Sequence, residues 1–114
     1  MFIIKKINLN NLNTNNATNM SYMFYDCTLL KELTLSNLKT NNINDISGML
    51  FGCSSLNKLN LSNFYTNNVT NMDSMFYGCS SLKELNLNNF NTGNVLDMRS
   101  MVCGCSSLNL KSTL

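Results

Sequence analysis

The fold is decided by the stretch Asn67–Phe90, which reads NNVTNMDSMFYGCSSLKELNLNNF and is one copy of a repeated unit. When the chain is shifted against itself by 26 residues, its apolar positions coincide. Two such columns are Cys27, Cys53, Cys79 and Cys105, and Met23, Met49, Met75 and Met101. Self-similarity at a period of roughly 20–50 residues is typical of repeat architectures. The sequence therefore predicts a solenoid of about four units, forming a single domain over residues 1–114.

Composition and charge exclude several classes of function. The net charge is only +2 and the lysines are spread along the chain, which argues against binding to nucleic acid. No apolar run approaches the ~18 residues needed to span a bilayer, so we expect no membrane insertion. The start, MFIIKKINL, lacks the longer apolar region of a signal peptide. We therefore expect no signal peptide in this chain.

Each unit contains the pattern L-x-x-L-x-L, whose last two leucines alternate with β-strand period. Leu85 and Leu87 are one such pair. The pattern predicts short parallel strands at residues 6–10, 32–36, 58–62 and 84–88. The final LNLKSTL loses the spacing, so we expect the C-terminal strand to be ragged.

A second apolar pattern follows the polar turn in each unit. Val69, Met72, Met75, Phe76 and Cys79 recur at the spacing of one helical face. A glycine comes directly before the column cysteine in three units, where it suits the left-handed residue after a helix. Each unit is therefore predicted to contain a strand and a short helix, which gives an α/β class.

The units resemble those of BspA-like leucine-rich repeat surface proteins, in the subclass with repeats close to NVTNMxxMFxGCSSLxxLxLSxF. The matching text is NNVTNMDSMFYGCSSLKELNLNNF, preceded by SGMLFGCSSLNKLNLSNF one unit earlier. The resemblance covers essentially the whole chain. It implies a right-handed leucine-rich-repeat solenoid with the strands on a concave face and the helices opposite. It also implies adhesion or recognition at a cell surface, by a protein that is surface-bound or secreted.

The candidate binding site is the exposed side of the predicted strands. Charged side chains alternate in sign there from unit to unit, and amide and hydroxyl side chains run beside them. The predicted site residues are Lys6, Asn8, Glu32, Thr34, Lys58, Asn60, Lys83, Glu84, Asn86 and Asn88. A nearly neutral surface of this kind suits a protein or glycan ligand.

The cysteine and methionine columns invite a chemical interpretation. Equally spaced thiols suggest metal binding or disulfides, and methionines suggest copper binding. The spacing of 26 residues does not match a zinc site, and core packing explains both columns better. Cys103 stands in a column otherwise held by Tyr25, Phe51 and Tyr77, and we expect it to be the one thiol that is labelled rapidly.

Enzyme chemistry finds no support in the sequence. There is no His, and the carboxylates are isolated members of repeat columns. We therefore expect a non-catalytic module without metal, cofactor or catalytic residues. The alternative is a structural array segment, or a fragment of a longer repeat protein, that associates end to end, because neither end carries a polar capping unit.

Overall fold

The computed structural model describes residues 6–7, 9 and 11–109. Within this part of the chain three strands form one parallel sheet in the order β1 (Lys6–Ile7), β2 (Glu32–Thr34) and β3 (Lys58–Asn60). Glu32 pairs with Lys58 and with Lys6, so successive strands are in register at an offset of 26 residues. The predicted parallel pairing at the repeat period is therefore present.

The strands are shorter than predicted, and the fourth is missing from the described residues. β2 and β3 begin at the predicted positions but end after three residues. At the end of β3, Asn60 Oδ1 accepts a hydrogen bond from the Ser62 N–H at 2.9 Å, and this turn ends the extended backbone. Residues 84–88 form no strand in the described part of the chain. The predicted ragged C-terminal strand extends into residues 110–114, which lie outside the described residues.

The α/β class, a right-handed leucine-rich-repeat solenoid with short helices opposite the strands, is wrong. Residues 6–7, 9 and 11–109 contain no helix. The stretches predicted to be helical are instead successive tight turns, which we call the four turn segments: residues 19–27, 45–53, 71–79 and 97–105.

Backbone hydrogen bonding explains why no helix forms. Inside the third turn segment the bonds join residues three apart, such as Tyr77 N–H to Ser74 C=O at 3.1 Å. Alternate N–H groups leave the segment altogether: Phe76 donates to the Met101 carbonyl at 2.9 Å. An α-helix needs each N–H for the carbonyl four residues earlier. Here half of the donors are used by the neighbouring segment.

Left-handed residues maintain this geometry. The fourth and eighth residues of each turn segment have positive φ, between 54° and 80°. The eighth position holds Asp26 in the first segment and Gly52, Gly78 and Gly104 in the others. Glycine adopts this conformation without steric penalty, which is the physical reason for its recurrence. Two left-handed residues four apart are incompatible with a right-handed helix.

The core lies between the sheet and the turn segments, and it is a single cluster of apolar side chains. Its members come from the apolar repeat columns of the sequence. The apolar periodicity therefore predicted the core positions, although it did not predict the backbone conformation. Met75 and Phe76 are fully buried in it, as is Leu56 below the sheet. The radius of gyration is 13.2 Å, close to the ~13 Å expected of a compact domain of this length.

Candidate functional site

The exposed side of the sheet carries a shallow polar groove. Along β2 the side chain of Leu33 is buried, whereas Thr34 is exposed and Glu32 is half-buried, because successive side chains of a strand point to opposite faces. Parallel register places Lys58 beside Glu32, with 3.4 Å between Nζ and Oε1. Such an exposed ion pair contributes at most ~1 kcal/mol to stability.

The groove gathers half of the predicted site residues. It has a volume of about 410 Å³, and the predicted residues that line it are Glu32, Thr34, Lys58, Asn60 and Glu84. A second depression of about 380 Å³ shares Asn60 with it and adds Asn86 and Asn88. These two depressions together form what we call the strand groove.

The three remaining predicted residues are placed differently. Lys83 is exposed but does not line the strand groove. The backbone of Lys6 pairs with Glu32 in the sheet. Asn8 lies outside the described residues.

Two of the groove amides already have a structural role. Asn60 Oδ1 accepts from the Ser62 N–H at 2.9 Å and from the Ser62 hydroxyl at 2.6 Å. Asn86 Oδ1 accepts from the Asn88 N–H at 3.0 Å. Both side chains therefore close turns after the strand position. The side chains of Thr34, Lys58 and Glu84 are the better probes of binding, because replacing them leaves these turns intact.

A column of threonines in the polar turn joins successive units. Thr66 is fully buried, and its hydroxyl donates to the Asn91 carbonyl at 3.0 Å while accepting from the Asn91 N–H at 2.8 Å. Thr14 and Thr40 make the same pair of bonds to Lys39 and Tyr65. The recurrence of Thr at a 26-residue spacing is the sequence signal that could have identified these residues.

A column of Asn and Asp side chains, to which two of the isolated carboxylates belong, closes turns. Asn19, Asp45, Asn71 and Asp97 form a ladder of parallel bridges. Each side-chain oxygen accepts the N–H two residues later, as Asn71 Oδ1 does from Asp73 at 2.9 Å. In the last member, hydrogen bonds from Arg99 lower the pKa of the Asp97 carboxyl. These carboxylates and amides are structural.

The cysteine column is packed in the core, and all five cysteines are free thiols. Cys53 and Cys79 are fully buried, and each thiol donates to a carbonyl of the preceding unit, Cys53 to Phe24 at 3.2 Å. Burial raises the pKa of Cys53 to about 12. The neighbouring Cys105 thiol, together with burial, raises the pKa of Cys79 as well. Cys103 is the exposed cysteine, and its rapid labelling stays a prediction.

An aromatic ladder is the surface feature that the sequence analysis missed. The ladder consists of Tyr25, Phe51 and Tyr77, of which Tyr25 is 52% exposed and the other two rings are only half-buried. The rings stack across units with centroid distances of 5.3 Å from Tyr25 to Phe51 and 4.4 Å from Phe51 to Tyr77. Tyr22 and Tyr65 are exposed as well.

Two other kinds of site are absent from the described residues. No three His, Cys, Asp or Glu side chains lie close enough together there to hold a metal ion. No helix with the length and apolar character needed to cross a membrane occurs in the same part of the chain.

Comparison with known proteins identifies one family. A family model described as "Mycoplasma protein of unknown function, DUF285" matches residues 2–113. No curated protein and no solved structure matches the chain. The BspA-like resemblance therefore stays a prediction. Because the family match spans nearly the whole sequence, the chain belongs to the DUF285 family.

Proposed function

We propose that this chain is a non-catalytic recognition module that binds a protein or glycan ligand through the strand groove. The observation that supports the proposal is the convergence of Glu32, Thr34, Lys58, Asn60 and Glu84 on one depression of about 410 Å³. Their side chains come from successive units, so the surface that they form depends on the fold. Repeat proteins commonly bind ligands on such composite surfaces.

The chemistry of the groove favours a polar ligand. Its lining combines two carboxylates, an ammonium group, a hydroxyl and amides. A ligand hydroxyl or peptide group finds both donors and acceptors there. The Lys58–Glu32 pair is exposed and weak, so a ligand can replace one of its partners at little cost.

Binding is tested with an immobilised glycan panel and with mucin as the protein-linked glycan probe. We expect Lys58→Ala and Glu84→Gln each to weaken binding about tenfold or more, since each removes a charge-assisted hydrogen bond. Lys31→Ala is the matched control, because Lys31 is an exposed lysine that does not line the groove. Binding that survives both groove substitutions would contradict the proposal.

We also propose a role in adhesion or host interaction by a protein that is surface-bound or secreted. The support for it is the resemblance of NNVTNMDSMFYGCSSLKELNLNNF to the repeats of BspA-like surface proteins. Treatment of intact source cells with an external protease tests the location. We expect the protein to be digested while a cytoplasmic marker survives. If the protein is fully protected from the protease and is also absent from the culture medium, the proposal is contradicted.

A further inference from the structure

We propose that a second copy of this chain stacks head to tail on the fourth turn segment, through the backbone ladder that already joins successive segments. That ladder is seen three times within the chain. Four N–H groups of each of the first three segments donate to carbonyls of the next segment at 2.7–3.0 Å. In the first segment, for example, Tyr22 donates to Ser47 and Phe24 donates to Met49, both at 2.9 Å.

The two ends of the ladder are complementary. The donors that continue it are the N–H groups of Met98, Ser100, Val102 and Gly104. None of them has an acceptor among the described residues. At the other end, the carbonyls of Asn19, Ser21, Met23 and Tyr25 accept no hydrogen bond within the same part of the chain. Four aligned donors face one way and four aligned acceptors the other, with the spacing that pairs them inside the protein.

Apolar side chains are exposed at the same two ends. Met72 and Phe76 are fully buried, yet their equivalents in the fourth segment, Met98 and Val102, are 49% and 37% exposed. At the other end Met23 is 38% exposed, whereas its equivalent Met75 is fully buried. Side chains that are core in the middle of the stack are therefore exposed at both ends. Burying them supplies the hydrophobic term that backbone hydrogen bonds alone do not provide.

The direction of association follows from the chemistry of the two edges. A two-fold pairing would set N–H groups against N–H groups, or carbonyls against carbonyls, which cannot bond. Only head-to-tail stacking places the donors of the fourth segment against the acceptors of a first segment. Such a heterologous contact leaves one donor end and one acceptor end unused after each addition, so it extends to longer assemblies rather than stopping at a symmetric dimer. The inference is independent of any ligand in the strand groove.

The first experiment is sedimentation velocity of the full 114-residue chain across a range of concentrations, with a reducing agent to prevent a disulfide through Cys103. We expect the mass to rise above 12.8 kDa in steps of whole chains as concentration increases. A mass that stays at 12.8 kDa up to the highest concentration overturns the proposal.

Two blocking variants test the direction. Met98→Glu places a charge on the donor end, and Met23→Glu places one on the acceptor end. Each variant alone should lose all assembly, because a carboxylate would be buried in the contact. A mixture of the two should form dimers and nothing longer, since one intact donor end then meets one intact acceptor end. Self-assembly of either variant alone would overturn the head-to-tail direction.

Controls separate blocked association from unfolding. Tyr65→Glu changes an equally exposed apolar side chain away from the two ends, and it should assemble like the native chain. All variants should keep the native circular dichroism spectrum. The gain-of-function variant Cys103→Phe places a ring between Tyr77 and Tyr25 of the next copy, and this ring would continue the aromatic ladder. We expect it to shift assembly to at least severalfold lower concentration, and weaker assembly would count against the register.

Discussion

The third and fourth turn segments have nearly the same sequence pattern and very different surroundings. In residues 71–79 the side chains of Met72, Met75 and Phe76 are fully buried. In residues 97–105 Met98 is the equivalent of Met72 and Val102 is the equivalent of Phe76, and both are exposed. The third segment has a neighbour on both sides, whereas in the described structure the fourth has one on a single side. A unit therefore does not bury its own apolar residues, and its core positions become core only through the adjacent unit.

The largest effect that tests this comparison is expected from the methionine column. Met75→Ala should destabilise the protein by ~2–5 kcal/mol, because truncating a fully buried side chain leaves a cavity. Met23→Ala, in the same column at the first segment, should cost less than ~1 kcal/mol because the side chain is already 38% exposed. Urea unfolding measures both. Equal costs would show that the two segments are equally buried in solution.

The threonine column should give the next largest difference. Thr66→Val removes a buried hydroxyl and leaves the N–H and carbonyl of Asn91 without their partner, at a cost of ~1–3 kcal/mol. Thr92→Val, at the exposed fourth position of the column, should be nearly neutral. Thermal unfolding compares the two. A neutral Thr66→Val would mean that water replaces the hydroxyl.

The cysteine column predicts how stability changes with pH. Burial raises the pKa of Cys53 from about 9 to about 12, so the folded state keeps its proton while the unfolded thiol loses it. Stability should therefore be unaffected by Cys53 below pH ~9 and should fall by ~1.4 kcal/mol per pH unit between pH ~9 and ~12. Cys53→Ala should show a shallower decline over this window in urea titrations. The control is Cys103→Ala, which removes a thiol that is exposed rather than buried.

The smallest effect is expected at the left-handed position that ends each segment. Asp26 holds there the conformation that glycine holds in the other three segments, with φ of 54°. Asp26→Gly should therefore stabilise the protein by up to ~1 kcal/mol, and Gly78→Ala should destabilise it by ~1–2 kcal/mol. Differential scanning calorimetry resolves changes of this size. Destabilisation by Asp26→Gly would show that the Asp26 side chain makes a stabilising interaction in solution.

Part of the fold, and the relative placement of some candidate site residues, were predictable from particular residues. Glu32 and Lys58 were expected to be neighbours on the exposed side of parallel strands, and they are. The core character of Cys53, Met75 and Phe76 followed from their columns. The interpretation of residues 71–79 as a helix failed because its apolar spacing suits stacked turns equally well. Two glycines four apart, Gly48 and Gly52, were the available warning, since each costs ~1 kcal/mol inside a helix.

The sequence by itself determined the 26-residue period, the parallel register that follows from it, and which columns are apolar. Only the tertiary structure decided where the backbone N–H groups of the turn segments find their acceptors. An N–H group can bond within its own segment or to the next one, and the apolar side-chain pattern is the same in both cases. The tertiary structure also decided which members of a column are buried, because burial depends on a neighbour that the sequence of one unit does not contain.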